Sequence, residues 1–272
     1  MTVDLAELFR PDLVASDLDG TLLPPDQRLT AATTAGVRRL REAGIPFVIC
    51  TGRMLRSARR MAGRLGLIQG PMICYQGALV ADLASGEWLM HRPLSTPLAV
   101  EVIEHVRELG CQVNVYVNDE FYVEVVGEWA RGYAEYAEVP VNVVGDLVAL
   151  VQTPPTKIVI ATDPAAVDVL LPKLQGRWRG RLYVTRSLPQ YIEVCDLRAT
   201  KSNALDHLCT ELGLRPERCV ACGDGLNDVD MLRWAGMGVA MAQAAQVVRD
   251  AADVVVSPDD LGELFSRLAA LA

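Results

Sequence analysis

Short apolar runs recur along this chain, and several of them end in acidic, hydroxyl or glycine residues. Leu13-Val-Ala-Ser16 runs into Asp17-Leu-Asp-Gly-Thr-Leu22, and Pro46-Phe-Val-Ile-Cys50 runs into Thr51-Gly-Arg53. Near the other end, Cys219-Val-Ala-Cys222 runs into Gly223-Asp-Gly-Leu-Asn-Asp228. Runs this short and this apolar read as strands buried on both faces, the pattern of a parallel sheet. The polar segments then sit at the carboxyl ends of strands, where open α/β sheets bind ligands. Between these runs the pattern is helical. Thr30 to Ala43 reads as a helix closed by Gly44 and Pro46. A second helix is expected to start at Thr51-Gly-Arg53 and run to Leu65, with its first turn aiming N–H groups at an anion. Met72 to Tyr75 reads as a strand. Lys201 to Leu212, capped by Gly213, and Asp228 to Ala235 read as helices. Gly238 to Met241 and Asp253 to Val256 read as strands, with Ala242 to Ala252 as a helix between them.

The texture changes after about Asp82. Trp88 to His91, Gln112 to Val117 and Phe121 to Val125 read as strands, with Asn118-Asp-Glu120 as a hairpin turn. Thr96 to Leu109 and Pro164 to Leu174 read as helices, and Lys157 to Ala161 and Tyr191 to Val194 as further strands. Hairpins mixed with helices predict an α+β unit inserted into an α/β domain. The expected division is 1–82 with 195–272 as one discontinuous domain and 83–194 as the insert.

The charges at the strand ends narrow the chemistry. Asp17, Asp19, Asp224 and Asp228 would meet at one sheet edge, and four carboxylates do not stay ionised together without a counter-charge. A hard divalent cation supplies one, and oxygen ligands favour Mg²⁺. A hydroxyl (Thr51) and an ammonium (Lys201) beside it suit a phosphoryl group, whose oxygens need donors and positive charge. Gly52, Gly223 and Gly225 let backbone approach a ligand closely.

In this order the four segments resemble the motifs of the haloacid dehalogenase superfamily of phosphohydrolases. Asp17-Leu-Asp-Gly-Thr21 is similar to the first motif, Thr51 to the second, Lys201 to the third and Gly223-Asp-Gly-Leu-Asn-Asp228 to the fourth. Ile73-Cys-Tyr-Gln-Gly-Ala78, Lys201-Ser-Asn-Ala-Leu205 and Gly238-Val-Ala-Met241 extend the resemblance to the Cof-like, type IIB branch with a large C2 cap. It covers nearly the whole chain. It implies a Rossmann-like α/β core with a parallel sheet, and an inserted α+β cap domain between the second and third motifs. It also implies a Mg²⁺-dependent phosphatase working through an aspartyl-phosphate.

Within that resemblance Asp17 is the nucleophile and Asp19 the general acid and base, with the Asp19 backbone carbonyl on the metal. Asp224 is a second carboxylate on the metal, and Asp228 acts on it through water. Thr51, Gly52 and Lys201 bind the phosphoryl group. Asn227 either donates to the phosphate, orients a metal water, or is a turn residue satisfying backbone. Lys201 at a helix start is unfavourably placed against the helix dipole, which points to a compensating partner. Three positions depart from the branch's usual residues: Gln76, Ser202 and Gln243. Arg53 sits beside the site, whereas Arg59, Arg60 and Arg64 read as a solvated helix face. Arg186, Tyr191 and Glu193 are candidates for substrate contact or plain strand residues.

Composition sets limits on this picture. The net charge of −8 over 272 residues argues against nucleic acid or an acidic membrane as the main partner. No apolar run is long enough to span a bilayer, and the first residues lack a signal-like pattern, so a cytoplasmic enzyme is expected. Seven cysteines do not suit a complete intrachain disulfide set. Cys219 and Cys222 have redox or zinc spacing, but positions three apart on a strand point to opposite faces. The expected substrate is a small phosphorylated metabolite, a sugar phosphate or a pyridoxal-phosphate-like compound. The alternatives are a phosphomutase of the same architecture and a non-enzymatic phospho-acceptor receiver.

Overall fold

The computed structural model describes residues 9–24 and 28–272. The first seven residues, where the sequence shows no signal-like pattern, lie outside the described ones. The chain opens with β1 (Leu13–Ser16), α1 (Ala31–Glu42), β2 (Phe47–Ile49), α2 (Leu55–Arg64), β3 (Pro71–Cys74), β4 (Leu79–Asp82) and β5 (Trp88–His91). Thr30 caps α1 by accepting from Thr33 N at 3.0 Å, and Val37 and Leu40 face the core.

An inserted stretch follows: α3 (Thr96–Glu108), β6 (Gln112–Val117), β7 (Glu120–Val123), α4 (Glu128–Ala137), β8 (Asn142–Val143) and α5 (Leu147–Leu150). It continues through β9 (Lys157–Ala161), α6 (Pro164–Arg177), β10 (Leu182–Leu188) and β11 (Tyr191–Asp196). These strands form one mixed sheet of order β10-β11-β9-β6-β7-β8. Asn118 and Asp119 at the β6–β7 turn take φ of +52° and +58°, the left-handed pair that a tight hairpin requires. One face of this sheet packs on α3 and α6 around Val102, Ile158, Val167, Trp178 and Ile192, so the insert has an apolar core of its own.

The chain then closes with α7 (Lys201–Leu212), β12 (Cys219–Gly223), α8 (Val229–Trp234), β13 (Met237–Met241), α9 (Gln246–Arg249), β14 (Val254–Val256) and α10 (Leu261–Ala269). Five parallel strands lie in the order β14-β13-β12-β1-β2. Ser16 is in register with both Ile49 and Cys222, so β1, β2 and β12 end at one edge. The helices cover this sheet; α10 packs on α1, with Phe265 edge-on to Phe47 at 5.5 Å.

Three elements differ from the sequence-based expectation. First, α2 starts at Leu55, not at Thr51. Thr51 O and Arg53 O accept from Gln76 N and Tyr75 N, which holds residues 51–53 in a non-helical bend against the loop after β3. Second, Ala242 to Ala252 is not one helix. Ala242 N donates to Val256 O, continuing the β13–β14 contact, and only the four residues of α9 are α-helical. Third, β5 pairs antiparallel with β4 in a β3-β4-β5 sheet, and not with the six-stranded sheet of the insert. An isolated bridge between Cys50 and Ile73 sets this small sheet beside β2.

Candidate active site

The first loop of the parallel sheet delivers Asp17 directly off β1, and its N–H donates to Cys222 O of β12 at 2.8 Å. Far along the chain but paired directly with β1, β12 delivers the loop Gly223 to Asp228. Lys201, the first residue of α7, reaches into the gap between them. Its ammonium contacts Asp17 Oδ1 and lies 2.6 Å from Asp228 Oδ1. These three side chains are almost fully buried. A cation at a helix N-terminus needs such partners, and here the two carboxylates compensate it. Asp228 Oδ2 accepts from Asp224 N at 3.0 Å and Gly225 N at 2.8 Å, which winds the loop around the carboxylate. Asp224 Oδ1 accepts from Thr21 Oγ1 at 2.9 Å. Its carboxylate also sits against Gly20, where φ is +91° and a Cβ would lie 2.2 Å from Asp224 Oδ2. Glycine is required there twice over, by conformation and by space.

Asp19, next on the same loop, meets a different partner. Arg53 forks its carboxylate, with Nε 2.7 Å from Oδ2 and Nη2 2.5 Å from Oδ1. Arg53 is itself held by Tyr136, whose hydroxyl accepts at 2.9 Å and whose ring lies 4.4 Å under the guanidinium. Thr51 follows β2 and is buried; its Oγ1 accepts from Arg53 N at 3.1 Å. Gly52 has Gln76 packed against its bare Cα, and Asn227 Nδ2 donates to Gln76 Oε1 at 2.9 Å. The two other departures are structural neighbours of the site. Gln243 Nε2 donates to Gly20 O at 2.7 Å, and Ser202 Oγ lies 3.1 Å from Thr200 Oγ1 at the α7 cap.

All of these groups except Gly20, Thr21, Thr200, Lys201, Ser202, Cys222, Gly223, Asp228 and Gln243 line one cavity, together with residues of the insert. Its far wall is Tyr133, Tyr136, Lys157, Ser187, Leu188, Tyr191 and Glu193. Lys157 is buried over the rings of Tyr75 and Tyr116, at 5.6 and 5.1 Å. It donates to Glu193 Oε2 at 3.0 Å and, across to the parallel-sheet side, to Gly52 O at 2.7 Å. Glu193 Oε1 accepts from Ser187 Oγ at 2.6 Å. Of the three cap candidates, Tyr191 and Glu193 reach the cavity. Arg186 turns outward to Asp168, at 2.6 Å, and to the carbonyls of Leu188 and Pro189. Lys157, Tyr133 and Tyr136 were not singled out from the sequence. Lys157 carried one usable signal, a lysine opening an otherwise apolar strand, Lys157-Ile-Val-Ile-Ala161.

Charge in the cluster is out of balance. One ligand oxygen each from Asp17, Asp224 and Asp228 lie within 4.8 Å of one another, the one such grouping of acidic, His or Cys side chains among the described residues. Lys201 is the ammonium among them. Burial raises the Asp17 carboxyl well above its usual range, Lys201 opposes this, and Asp228, Asp224 and Asp19 add to the rise. Burial and then Asp228 push Asp224 up to about 6. Burial alone would lower Lys201, but attraction to Asp17 and Asp228 raises it, so the ammonium stays charged. An all-oxygen donor set with surplus negative charge fits a hard divalent cation. The cysteines form no such set. Cys219 packs 3.7 Å from Cys209, while Cys222 points to the opposite side of the sheet, into a different apolar cluster.

The sequence and the fold match known proteins on the same terms. The profile of the haloacid dehalogenase-like hydrolase family matches residues 14–261. The 5-amino-6-(5-phospho-D-ribitylamino)uracil phosphatase YcsE of Bacillus subtilis (strain 168) is 30% identical over 244 residues, covering 89% of this chain and 88% of that protein. An HMP-PP phosphatase of Cronobacter sakazakii is 31% identical over 232 residues, covering 85% of this chain and 84% of that one. The crystal structure of a haloacid dehalogenase-like hydrolase from Bacteroides thetaiotaomicron superposes with a TM-score of 0.84 at 26% identity, covering 95% of this chain and 99% of that one. With the motif residues gathered at one sheet edge and the match running almost end to end, the chain belongs to the haloacid dehalogenase-like hydrolases and is a phosphatase.

Proposed function

We propose that this phosphatase hydrolyses the monoester of a small phosphorylated metabolite through an aspartyl-phosphate on Asp17, with Mg²⁺ as the required cation. The observation that carries this reading is the position of Asp17. It stands at the mouth of β1, pinned by Lys201, with two further carboxylates on one side and an open cavity on the other. Asp17, Asp224 and the Asp19 carbonyl would hold Mg²⁺, which would neutralise the carboxylates and steady the phosphoryl oxygens. Both Asp228 oxygens already accept protein hydrogen bonds, which suits contact with the metal through water.

The chemistry then runs on the chain's own groups. A carboxylate oxygen of Asp17 attacks phosphorus, the phosphorus–oxygen ester bond breaks, and the leaving alkoxide takes the Asp19 proton. The Asp19 carboxylate next takes a proton from water, and that water's oxygen attacks the aspartyl-phosphate. Phosphate leaves and Asp17 returns as a carboxylate. Thr51 Oγ1, Gly52 N–H and Lys201 bind the phosphoryl oxygens, and Arg53 with Tyr136 fixes where the Asp19 carboxyl points. The leaving group faces three tyrosines, Leu188, and the hydrogen-bonding pair Ser187 and Glu193. This wall suits a ring bearing hydroxyl or amino groups, in keeping with the phosphoribityl uracil compound for which one relative is named. The same reading divides the chain by role. The parallel-sheet unit carries the reacting groups and the insert carries the wall. Because β5 pairs with β4, we place the first boundary past His91, not at Asp82, and the second near Asp196.

The test is phosphate release from a panel of phosphorylated metabolites with and without Mg²⁺. Activity is expected to require the metal. Saturating Mg²⁺ is expected to raise Tm, as ligand binding to the folded state does, and Asp224→Asn is expected to shrink that rise. Asp17→Asn is expected to abolish turnover and the trapping of beryllium fluoride. Full activity after chelation, full activity of Asp17→Asn, or an isomerised ester in place of free phosphate overturns the reading.

A further inference from the structure

The turn between β3 and β4 carries a buried amide that the protein leaves half satisfied. Tyr75, Gln76 and Gly77 take φ of +52°, +60° and +100° in succession, a left-handed stretch that two L-residues rarely share. The turn is tied to the phosphoryl-side loop by Tyr75 N to Arg53 O, at 3.0 Å, and Gln76 N to Thr51 O, at 3.1 Å. This conformation delivers the Gln76 side chain to the cavity wall, where it is fully buried. Asn227 Nδ2 donates to its Oε1, which fixes the amide the other way round, with Nε2 toward Gly52. A Cβ on Gly52 would lie 2.3 Å from that nitrogen. Gln76 Nε2 has no hydrogen-bond partner in the protein. Proteins rarely bury a donor in this way without a purpose, because the lost water is not replaced.

The donor therefore sits beside the Gly52 backbone, and Gln76, Gly52, Thr51 and Asp17 line the same cavity. We infer that Gln76 donates an amide N–H to a non-bridging oxygen of the phosphoryl group, and that Asn227 is a positioning residue that holds the amide in that orientation. The inference rests on the reading of this cavity as the phosphoryl site. In phosphoryl transfer the charge spreads over the three equatorial oxygens, and a donor fixed in place beside them needs little reorganisation as the reaction proceeds. An amide in this orientation is neutral, so it adds a donor without adding to the charge that Lys201 and a metal must balance.

Three substitutions at Gln76 test this in the full chain with Mg²⁺, using a generic aryl phosphate as substrate and orthovanadate as the five-coordinate phosphorus mimic. Gln76→Glu keeps the shape and replaces the donor with an acceptor. Gln76→Met keeps the length and removes the donor. Gln76→Gly relaxes the positive φ, so it folds even if the other two are strained. Each is expected to lower kcat/KM by about 10²–10³, the usual effect of losing one oxyanion donor, chiefly through kcat, and to raise the vanadate inhibition constant. Asn227→Ala is expected to move both in the same direction by less. The inference is overturned if Gln76→Gly or Gln76→Met keeps the wild-type kcat/KM and vanadate affinity. It is equally overturned if activity falls only in step with Tm while vanadate affinity holds. A wild type that neither releases phosphate nor binds vanadate removes the phosphoryl-site reading itself.

Discussion

Asp17 and Asp19 are two residues apart and stand in opposite electrostatic settings. Asp17 shares the Lys201 ammonium with Asp228, whereas Asp19 is forked by the Arg53 guanidinium, which also donates to Tyr136. One carboxylate is thereby packed within the acidic cluster and the other is clamped, by two parallel bonds, at the cavity. A fork of this kind is a property of arginine alone; lysine offers one point of contact. Arg53→Lys is therefore expected to leave charge in place and lose aim. Kinetics should show kcat down by about 10- to 100-fold, the scale on which small misplacements of a reacting group act. KM and the vanadate inhibition constant should change little, because the phosphoryl contacts are untouched. A wild-type kcat in Arg53→Lys would show that the clamp does nothing for Asp19. At this scale Asp17, Thr51 and the loop Gly223 to Asp228 were legible in the sequence, because each follows on an apolar run that becomes a strand, whereas Lys201, at the start of α7, was legible only through its order among the other motifs. The Arg53–Asp19–Tyr136 chain was not. It joins three segments whose meeting depends on how the insert packs on the sheet.

At the scale of elements, α2 shows how tertiary contacts move a boundary that local pattern placed elsewhere. The residue that precedes it, Met54 at the N-cap, offers no side-chain cap. The cap comes from 63 residues away, where Asp119 Oδ2 at the β6–β7 hairpin accepts from Arg56 N at 2.8 Å. Asp119 Oδ1 also accepts from Tyr75 Oη at 2.7 Å, so one carboxylate joins the hairpin, α2 and the turn that carries Gln76. Sequence could place the hairpin from Asn118-Asp-Glu120, since its left-handed turn has a residue signature. It could not place the cap, because no local pattern encodes a partner so distant. The same holds for β5, whose strand character was legible and whose neighbour was not. Burial raises the Asp119 carboxyl above its ordinary 3.8, against the pull of Tyr75 and the α2 backbone donors. Between that ordinary value and the raised folded value, the folded protein holds more protons than the unfolded chain. Stability from this group is thus full at low pH and falls as pH rises through the window. Asp119→Asn suits the left-handed backbone and keeps an acceptor for Arg56 N, so it should fold. Subtracting its unfolding free energy from that of wild type at each pH should give a difference that declines from just below 4 upward and then levels off. Parallel curves for the two proteins would mean that Asp119 does not titrate differently in the folded state.

Across the whole molecule the labour is divided between two sheets. Asp17, Asp19, Thr51, Gly52, Gln76, Asp224 and Asn227 reach the cavity from the parallel sheet and the loops beside it; Tyr133, Tyr136, Lys157, Ser187, Leu188, Tyr191 and Glu193 reach it from the insert. The two sides touch through few polar bonds at the cavity, notably Lys157 to Gly52 O and Arg53 to Tyr136. The chain crosses between them near Arg92 and near Arg198, where Arg92 Nη1 donates to Arg198 O at 2.9 Å. Since the insert has its own apolar core, it is a unit that can be exchanged without dismantling the parallel sheet. On the proposed reading, closing such a unit over the site would exclude water during attack by Asp17 and add contacts to the leaving group, so binding selectivity should travel with it. Replacing residues 93–195 with the equivalent segment of the 30%-identical phosphatase is expected to shift the ranking of substrates by kcat/KM toward that of the donor. Mg²⁺ dependence and beryllium fluoride trapping should stay with the recipient, because Asp17, Asp224, Asp228 and Lys201 lie outside the segment. Lys157 and Glu193 must be transferred together, since a lone buried charge from a broken pair costs about 3–5 kcal/mol and would mask the effect as instability. An exchange that folds, keeps its metal requirement and leaves the substrate ranking unchanged would place selectivity in the parallel-sheet unit instead.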